Sequence, residues 1–150
     1  MDIIIRPAIP KDCPRLLELI RELAEYEHAL DQVEVNPDHF LESGFGSSPV
    51  WWAHVAENKG NVIGFALYYI RYSTWKGQRL YLEDIIVTKQ YRRHGIGKKL
   101  FEAVLEDAKK KKLNGIIWQV LEWNKPAIQF YEKYAPTFNH EWITCTIEKV

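Results

Sequence analysis

The sequence has few cysteines, no excess of charge of either sign and no long apolar run. Its two cysteines, Cys13 and Cys145, stand at opposite ends without CxxC spacing, which argues against a disulfide scaffold or a zinc ribbon. Twenty basic residues balance twenty acidic ones, so bulk charge gives no drive toward nucleic acid or an anionic membrane. No stretch is long enough to cross a bilayer, and residues 3–5 are too short a run for a signal-peptide core. The five histidines show no HExxH spacing, so we expect no metal.

Apolar residues are abundant enough to form a core. The chain has 150 residues, of which 47% are hydrophobic and 27% charged, a composition that excludes intrinsic disorder. This length is typical of one domain. We therefore expect a single domain over residues 1–150, soluble and cytoplasmic, that binds neither nucleic acid nor a membrane.

The apolar periodicity predicts the order strand, two helices, three strands, helix, strand, helix, strand. The predicted strands are residues 3–6, 50–57, 62–72, 80–87, 116–121 and 142–147. Four helices are predicted: one capped by Asp12, one that begins at Asn36-Pro37, one that begins in the loop at 91–98 and one that begins at Asn124. A loop is expected to begin at Gly44. This mixed order implies an α/β or α+β fold with a partly antiparallel sheet. The helix between 80–87 and 116–121 fits a crossover that joins parallel strands.

A basic, glycine-containing loop, YRRHGIGK at residues 91–98, lies between a predicted strand and a predicted helix. Its glycines let the backbone approach a ligand, and the first helical turn offers unpaired N–H groups to an anion such as pyrophosphate. Mobile positive charge is expected from Arg92, Arg93 and Lys98. A Walker loop would need glycine at 92, and a GxGxxG motif starting at Gly95 would need it at 100, so both fail. A helix start without any ligand stays an alternative, and His94 is either a phosphate contact or a surface histidine.

The pattern that fits is R-x-x-G-x-G at 92–97, which resembles the coenzyme A pyrophosphate loop of the GNAT superfamily of N-acetyltransferases. The segments 64–97, EWNKPAIQFY (122–131), LAEYE (23–27) and ESGFG (42–46) resemble the diamine acetyltransferases, the spermidine/spermine and thialysine branch. The resemblance covers residues 3 to about 131. It implies the acyl-CoA acyltransferase fold, a mixed twisted sheet with flanking helices in which a splayed parallel strand pair holds acetyl-CoA. It also implies a homodimer.

The resemblance assigns site residues position by position. Those implied to bind the cofactor are Ile85, Ile86, Val87, Arg92, Arg93, His94, Gly95, Ile96, Gly97, Lys98, Asn124 and Tyr131. Those implied to bind the amine substrate are Tyr26, Glu27, Trp75, Glu83 and Asp84. Polyamine-acetylating relatives carry an acid two residues before the tryptophan, where this chain has Ser73, so a shorter diamine or a lysine analogue is favoured.

Acetyl transfer to an amine needs a neutral nucleophile, a stabilised oxyanion and a protonated leaving thiolate. Because an alkylamine has a pKa near 10, a base must remove a proton, and we assign this role to Glu83, whose apolar surroundings would raise its pKa. A backbone N–H of residues 85–87 is the expected oxyanion donor and Tyr131 the expected acid. We expect direct attack, without a covalent enzyme intermediate.

Each of these residues has a purely structural alternative. Glu83 and Asp84 are adjacent, so they reach one cleft only if the strand bulges there, and Asp84 could be a solvent-facing acid. Tyr131 could be a packed aromatic residue, and Asn124 could only cap its helix. The alternative functions are acetylation of a protein amino group and a CoA-binding regulatory protein without catalysis.

Overall fold

Strands and helices follow the predicted order as far as residue 132. In the computed structural model, which describes residues 1–150, the elements are β1 (Ile3–Pro7), α1 (Cys13–Tyr26), α2 (Pro37–Phe45), β2 (Trp52–Asn58), β3 (Asn61–Ser73), β4 (Gly77–Val87), α3 (Ile96–Lys110), β5 (Ile116–Trp118) and α4 (Lys125–Glu132). The chain divides into two units, Met1–Gln119 with β1–β5 and α1–α3, and Val120–Val150 with α4. No helix combines the length and the apolar character needed to span a membrane.

The first unit is built on one mixed sheet with strand order β1-β2-β3-β4-β5. The first three pairs are antiparallel, and β4 pairs with β5 in parallel. Helix α3 connects these two parallel strands, as the predicted crossover requires. The predicted fold class, a mixed sheet with flanking helices and a parallel strand pair, is confirmed.

Apolar side chains of α1, α2 and the sheet form a continuous core. Its members include Cys13, Leu16, Leu19, Phe40, Trp51, Val55, Phe65, Leu67 and Ile86. Trp51 stacks on Phe40 with ring centroids 4.7 Å apart, and its indole N–H donates to the Phe40 carbonyl. Gly44 lies against this indole so closely that a Cβ at position 44 would clash with the ring of Trp51. The glycine therefore serves packing inside α2 and does not begin a loop, which corrects the expectation for Gly44.

Helix α3 is held to the sheet by apolar contacts and by one polar cluster. Its buried residues are Ile96, Leu100, Phe101, Val104 and Ala108. Near its end, the Asp107 carboxylate accepts a hydrogen bond from the hydroxyl of Tyr68 on β3 (2.8 Å) and lies 2.7 Å from Nε2 of His54 on β2. These contacts fix the direction of α3 and hence the place of its N-terminus.

Three further predictions are wrong in detail: the cap at Asp12, the last strand and the length of the strand that begins at Ile116. Asp12 stands at the N-cap position of α1, but its side chain makes no capping bond there and instead binds Arg6 (2.8 and 3.0 Å) and the Ile9 N–H. Residues 142–147 form no strand, and β5 is limited to Ile116–Trp118. Alternating β-branched residues favour a strand only where a pairing partner exists, and Trp142 and Ile143 are exposed here.

Candidate active site

A β-bulge in β4 brings two adjacent carboxylates to one side of the sheet. Leu67 pairs with Asp84 and Tyr68 with Leu82, so Glu83 is the extra residue that has no partner on β3. Leu67 and Tyr69 share a face of β3, and their partners on β4 share it too. The Glu83 carboxylate reaches this face, since its Oε1 accepts a hydrogen bond from the Tyr69 hydroxyl at 3.2 Å. The bulge that a shared cleft requires is therefore present.

Asp84 is half-buried, and Glu83 is exposed. Burial, followed by the negative charges of Glu83 and Glu27, raises the pKa of Asp84 to about 7. Glu27 closes the end of α1, and burial raises the pKa of its carboxyl group as well. The burial that we expected around Glu83 is found at Asp84 instead, whereas Glu83 is exposed. Asp84 therefore lies near enough to Glu27 and Glu83 to be influenced by the charge of each, and these residues are called the three carboxylates.

Two tyrosines and an arginine continue this face along β3 and β4, and sequence reasoning missed all three. The rings of Tyr69 and Tyr81 stack with centroids 5.1 Å apart. Burial, then the Glu83 charge, raises the pKa of Tyr69 to about 12, so its hydroxyl stays a proton donor at neutral pH. The guanidinium of Arg71 lies 5.6 Å from the Tyr81 ring centroid. Alternation along β3 and β4 could have suggested Tyr69, Arg71 and Tyr81, but the bulge hides their common face in the sequence.

One edge of β4 is open directly after the carboxylates. β5 pairs with β4 only over residues 80–82, so beyond Leu82 the edge of β4 that faces away from β3 has no strand partner. Ile85, Ile86 and Val87 lie in this open stretch and pair with β3 on their other side. Backbone N–H and C=O groups on an open edge can hydrogen-bond an extended amide-containing ligand, as the predicted pantetheine site requires.

The loop before α3 has the backbone of an anion site. Gly95 is the N-cap residue in a left-handed conformation (φ 75°), and no side chain caps the helix. The first-turn N–H groups are thus left for a ligand, and the helix dipole favours a negative one. Arg93, His94 and Lys98 are exposed, whereas the Ile96 side chain is buried and can offer only its backbone; Gly97 lies between them in the first turn. Lys98 also lies 3.9 Å from Glu102.

Arg92 is anchored inside the first unit and does not supply the mobile charge we expected. Its Nε donates to the Val87 carbonyl at 2.8 Å, and its guanidinium lies 3.4 Å from the Glu22 carboxylate. Glu22 in turn accepts a hydrogen bond from the Thr88 hydroxyl at 2.7 Å. Arg92 therefore ties α1 to the end of β4. Its partner Glu22 lies 70 positions away in the sequence, which is why the loop motif did not reveal it.

The matching family agrees with this geometry. Residues 14–135 match the acetyltransferase (GNAT) family. The chain belongs to this family. It is an acetyl-CoA-dependent N-acetyltransferase.

This GNAT acetyltransferase is similar to thialysine and spermidine/spermine acetyltransferases. The chain is 43% identical over 138 residues to the thialysine N-epsilon-acetyltransferase of Bos taurus, covering 87% of this chain and 81% of that protein. It is 37% identical over 134 residues to a spermidine/spermine N(1)-acetyltransferase-like protein of Homo sapiens, covering 85% of this chain and 19% of the relative. The fold matches an aminoglycoside acetyltransferase from an uncultured soil metagenomic sample with a TM-score of 0.79 at 19% identity, covering 99% and 97% of the two chains.

The residues present in this acetyltransferase fit acetyl-CoA. An uncapped helix N-terminus with Arg93 and Lys98 beside it suits a diphosphate, and the open stretch of β4 suits the amides of the pantetheine arm. No group of three or more His, Cys, Asp or Glu side chains is arranged to hold a metal ion.

Two further residues, Tyr26 and Trp75, are predicted to bind the substrate. The ring of Tyr26, the last residue of α1, lies under the Arg92 guanidinium at 5.5 Å. Trp75 lies in the turn between β3 and β4 and is 82% exposed. The Ser73 hydroxyl accepts hydrogen bonds from the N–H groups of Trp75 (3.2 Å) and Lys76 (3.0 Å), so Ser73 shapes this turn.

Asn124 and Tyr131 belong to the second unit of the acetyltransferase. Asn124 caps α4, with its side-chain oxygen accepting from the Ala127 N–H at 3.3 Å, so the predicted capping role is present. Tyr131 is buried on α4, with its ring edge-on to Phe130. Their roles toward CoA and its sulfur stay predictions.

Proposed function

We propose that this enzyme moves the acetyl group of acetyl-CoA to a primary amine of a small cationic substrate, with a lysine-like amine as the favoured acceptor. The observation that carries the proposal is the group of three carboxylates, Glu27, Glu83 and Asp84, beside the open stretch of β4. Carboxylates attract an alkylammonium, and the tyrosine rings next to them can hold it by cation–π contact. The thialysine and spermidine/spermine relatives support an acceptor of this kind. Ser73, in place of an acid, favours the shorter substrates.

The carboxylate pair prepares the amine. An alkylammonium must lose a proton before it can attack, and a base works best when its pKa lies near the working pH. Glu83 is exposed and can meet the incoming ammonium, directly or through water, while Asp84 with its pKa of about 7 can hold the proton. The negative charge of Glu83 contributes to the raised pKa of Asp84, so the two side chains act together on the substrate proton.

Acetyl-CoA supplies an acetyl group activated as a thioester. Residues 92–98 hold its diphosphate and residues 85–87 its pantetheine arm. A backbone N–H of 85–87 donates to the carbonyl oxygen as negative charge develops there, when the amine nitrogen bonds to the carbonyl carbon. The carbon–sulfur bond would then break, and the Tyr131 hydroxyl would donate a proton to the departing thiolate, whose pKa is about that of cysteine, roughly 8.5. The proton that the attacking nitrogen loses as the amide forms would restore the tyrosine hydroxyl. Attack is direct, and Cys13 is buried in the core.

We also infer that the enzyme is a cytoplasmic homodimer that works as one domain over residues 1–150. Both cysteines are free, as is usual in a reducing compartment. Tyr72 and Trp75 on the β3–β4 hairpin are 71% and 82% exposed, and exposed aromatic residues are typical of interfaces. The family match crosses the boundary between the two units at Gln119, which supports a single functional domain.

A thiol-release assay tests the acceptor class. Acetyl-CoA is offered with lysine, thialysine, short diamines, long polyamines and a lysine-containing peptide. We expect the highest kcat/KM with the short cationic amines. A profile without preference for cationic amines would overturn the carboxylate argument, and a peptide as the best acceptor would establish the protein-acetylating alternative.

A Tyr131→Phe variant tests the proposed acid in the same assay. We expect kcat to fall roughly 100-fold because a general acid contributes about that factor, while CoA binding is retained. Tyr134→Phe, a tyrosine beyond the end of α4, is the matched control. Equal rates for Tyr131→Phe and wild type would show the acid role to be wrong. Absence of turnover by the wild type with every amine, while CoA still binds, would favour the regulatory alternative.

A further inference from the structure

The face that carries the three carboxylates has a positive charge at its other end. Beginning at the bulge, the Glu83 carboxylate accepts a hydrogen bond from the Tyr69 hydroxyl at 3.2 Å. The Tyr69 and Tyr81 rings stack with centroids 5.1 Å apart, and the Arg71 guanidinium lies 5.6 Å from the Tyr81 ring centroid. The contacts form one continuous track along β3 and β4: acids, then two aromatic rings, then a guanidinium. A ligand that lies along the tyrosines would therefore meet charges of opposite sign at its two ends.

Arg71 has no protein partner for its charge. Its guanidinium is exposed, makes no hydrogen bond or ion pair and lies over the Tyr81 ring. Its neighbour across the sheet, Arg79, donates to the Asn114 carbonyl at 2.9 Å, and Arg92 is bound to Val87 and Glu22. The planar guanidinium offers paired N–H donors that match a carboxylate. Arg71 is thus available for a ligand.

We infer that Arg71 binds the carboxylate of the acceptor and so selects amino acids with a side-chain amine over diamines that lack a carboxylate. The inference rests on the proposed function, because it concerns the same acceptor site. A diamine or polyamine would bring a second ammonium toward Arg71, where like charges repel. An amino acid brings its ammonium side chain to Glu27, Glu83 and Asp84. Its carboxylate can pair with the Arg71 guanidinium and offsets the charge of the neighbouring α-ammonium, an attraction that a diamine lacks.

The spacing suits a side chain as long as that of lysine. Leu67, the partner of Asp84, and Arg71 are four positions apart on β3, roughly 13 Å at about 3.3 Å per residue. The long side chains of Arg71 and Glu83 reach inward over the tyrosines from both ends of this distance. The arrangement also fixes which nitrogen reacts: the side-chain amine lies at the carboxylates, and the α-amine stays near Arg71.

Lysine and cadaverine form a matched substrate pair for the test, since cadaverine is lysine without its carboxylate. We measure kcat/KM for both with wild type, Arg71→Gln and Arg71→Lys, and we identify the acetylated nitrogen of lysine by NMR. We expect Arg71→Gln to lower kcat/KM for lysine by about 10-fold or more, mainly through KM, because a charge-assisted bidentate contact is lost. Activity toward cadaverine should stay or rise, Arg71→Lys should recover part of the lysine activity, and Nε-acetyllysine should be the product.

Arg21→Gln, an exposed arginine on α1, removes the same charge elsewhere and should leave the ratio of the two substrates unchanged. An unchanged lysine-to-cadaverine ratio in Arg71→Gln, or acetylation at the α-amine, would overturn the inference. If neither substrate is acetylated by the wild type while CoA binds, the proposed function itself fails. Thermal melting with and without CoA verifies that the variants are folded.

Discussion

The protonation state of Asp84 changes near neutral pH, because burial and two neighbouring carboxylates raise its pKa from 3.8 to about 7. We predict that kcat/KM for the amine increases as the pH rises through 7, where this carboxyl group becomes able to accept a proton. An Asp84→Asn variant should lose roughly 100-fold in rate, the contribution of a general base, and should keep only the pH dependence of the amine itself. Steady-state kinetics between pH 5.5 and 9 measure both. The same pH dependence in Asp84→Asn and wild type would contradict the assignment.

The raised pKa of Asp84 makes the folded protein less stable as the pH rises, although it supports catalysis. The folded state favours the protonated carboxyl group, so its contribution is complete below about pH 4 and is lost as the pH rises from 4 through 7. Asp84→Asn removes this loss. Its Tm should therefore exceed that of the wild type at pH 8, and the difference should shrink toward pH 4.

At the scale of secondary-structure elements, the close approach of β3 and β4 positions the proposed pantetheine edge. A Cβ at Gly64 would lie 2.7 Å from the Ile86 carbonyl oxygen and 3.3 Å from the Val87 Cα. We predict that Gly64→Ala displaces residues 86–87, raises the KM for acetyl-CoA several-fold and lowers the free energy of unfolding by about 1–3 kcal/mol. Kinetics and urea denaturation measure the two effects.

Gly44→Ala provides the matched control for that substitution. The atoms that its Cβ would clash with belong to the indole ring of Trp51, whereas the Cβ of Gly64→Ala would meet the backbone of β4. It should destabilise the protein without changing the KM for acetyl-CoA among the molecules that remain folded. A rise in KM in both variants would show that the effect comes from general loosening and not from the edge of β4.

Elements with local signals could be predicted from the sequence, and contacts set by strand pairing could not. The glycines and basic residues of 92–98 predict the start of α3, because the turn and the helix cap depend on only a few neighbouring residues. The bulge at Glu83 depends on the register between β3 and β4, so neither the burial of Asp84 nor the position of Arg71 over Tyr81 is visible in either strand alone. The strand predicted at 142–147 is wrong for the same reason: the alternation of its residues is typical of a strand, but no strand pairs with it.

For the whole molecule, the exposed hairpin between β3 and β4 predicts self-association. With Tyr72 71% and Trp75 82% exposed, this hairpin presents aromatic surface that a second copy could cover. We expect light scattering to give twice the 17.7 kDa mass of the chain. Replacing both residues by serine should weaken the dimer roughly 30-fold or more, the usual cost of losing buried interface aromatics.

Trp142 offers a control of equal chemistry for this prediction, because it is 74% exposed but lies in the second unit. Trp142→Ser should leave the dimer unchanged if association runs through the β3–β4 hairpin. If Trp142→Ser dissociates the dimer while the hairpin variant stays dimeric, the interface lies in the second unit. If the wild type is a monomer at about 50 micromolar, the predicted dimer does not exist.

Arg71 lies on the same hairpin as Tyr72, so the lysine-to-cadaverine ratio should be measured above and below the dissociation concentration. A constant ratio would mean that each copy selects its acceptor alone.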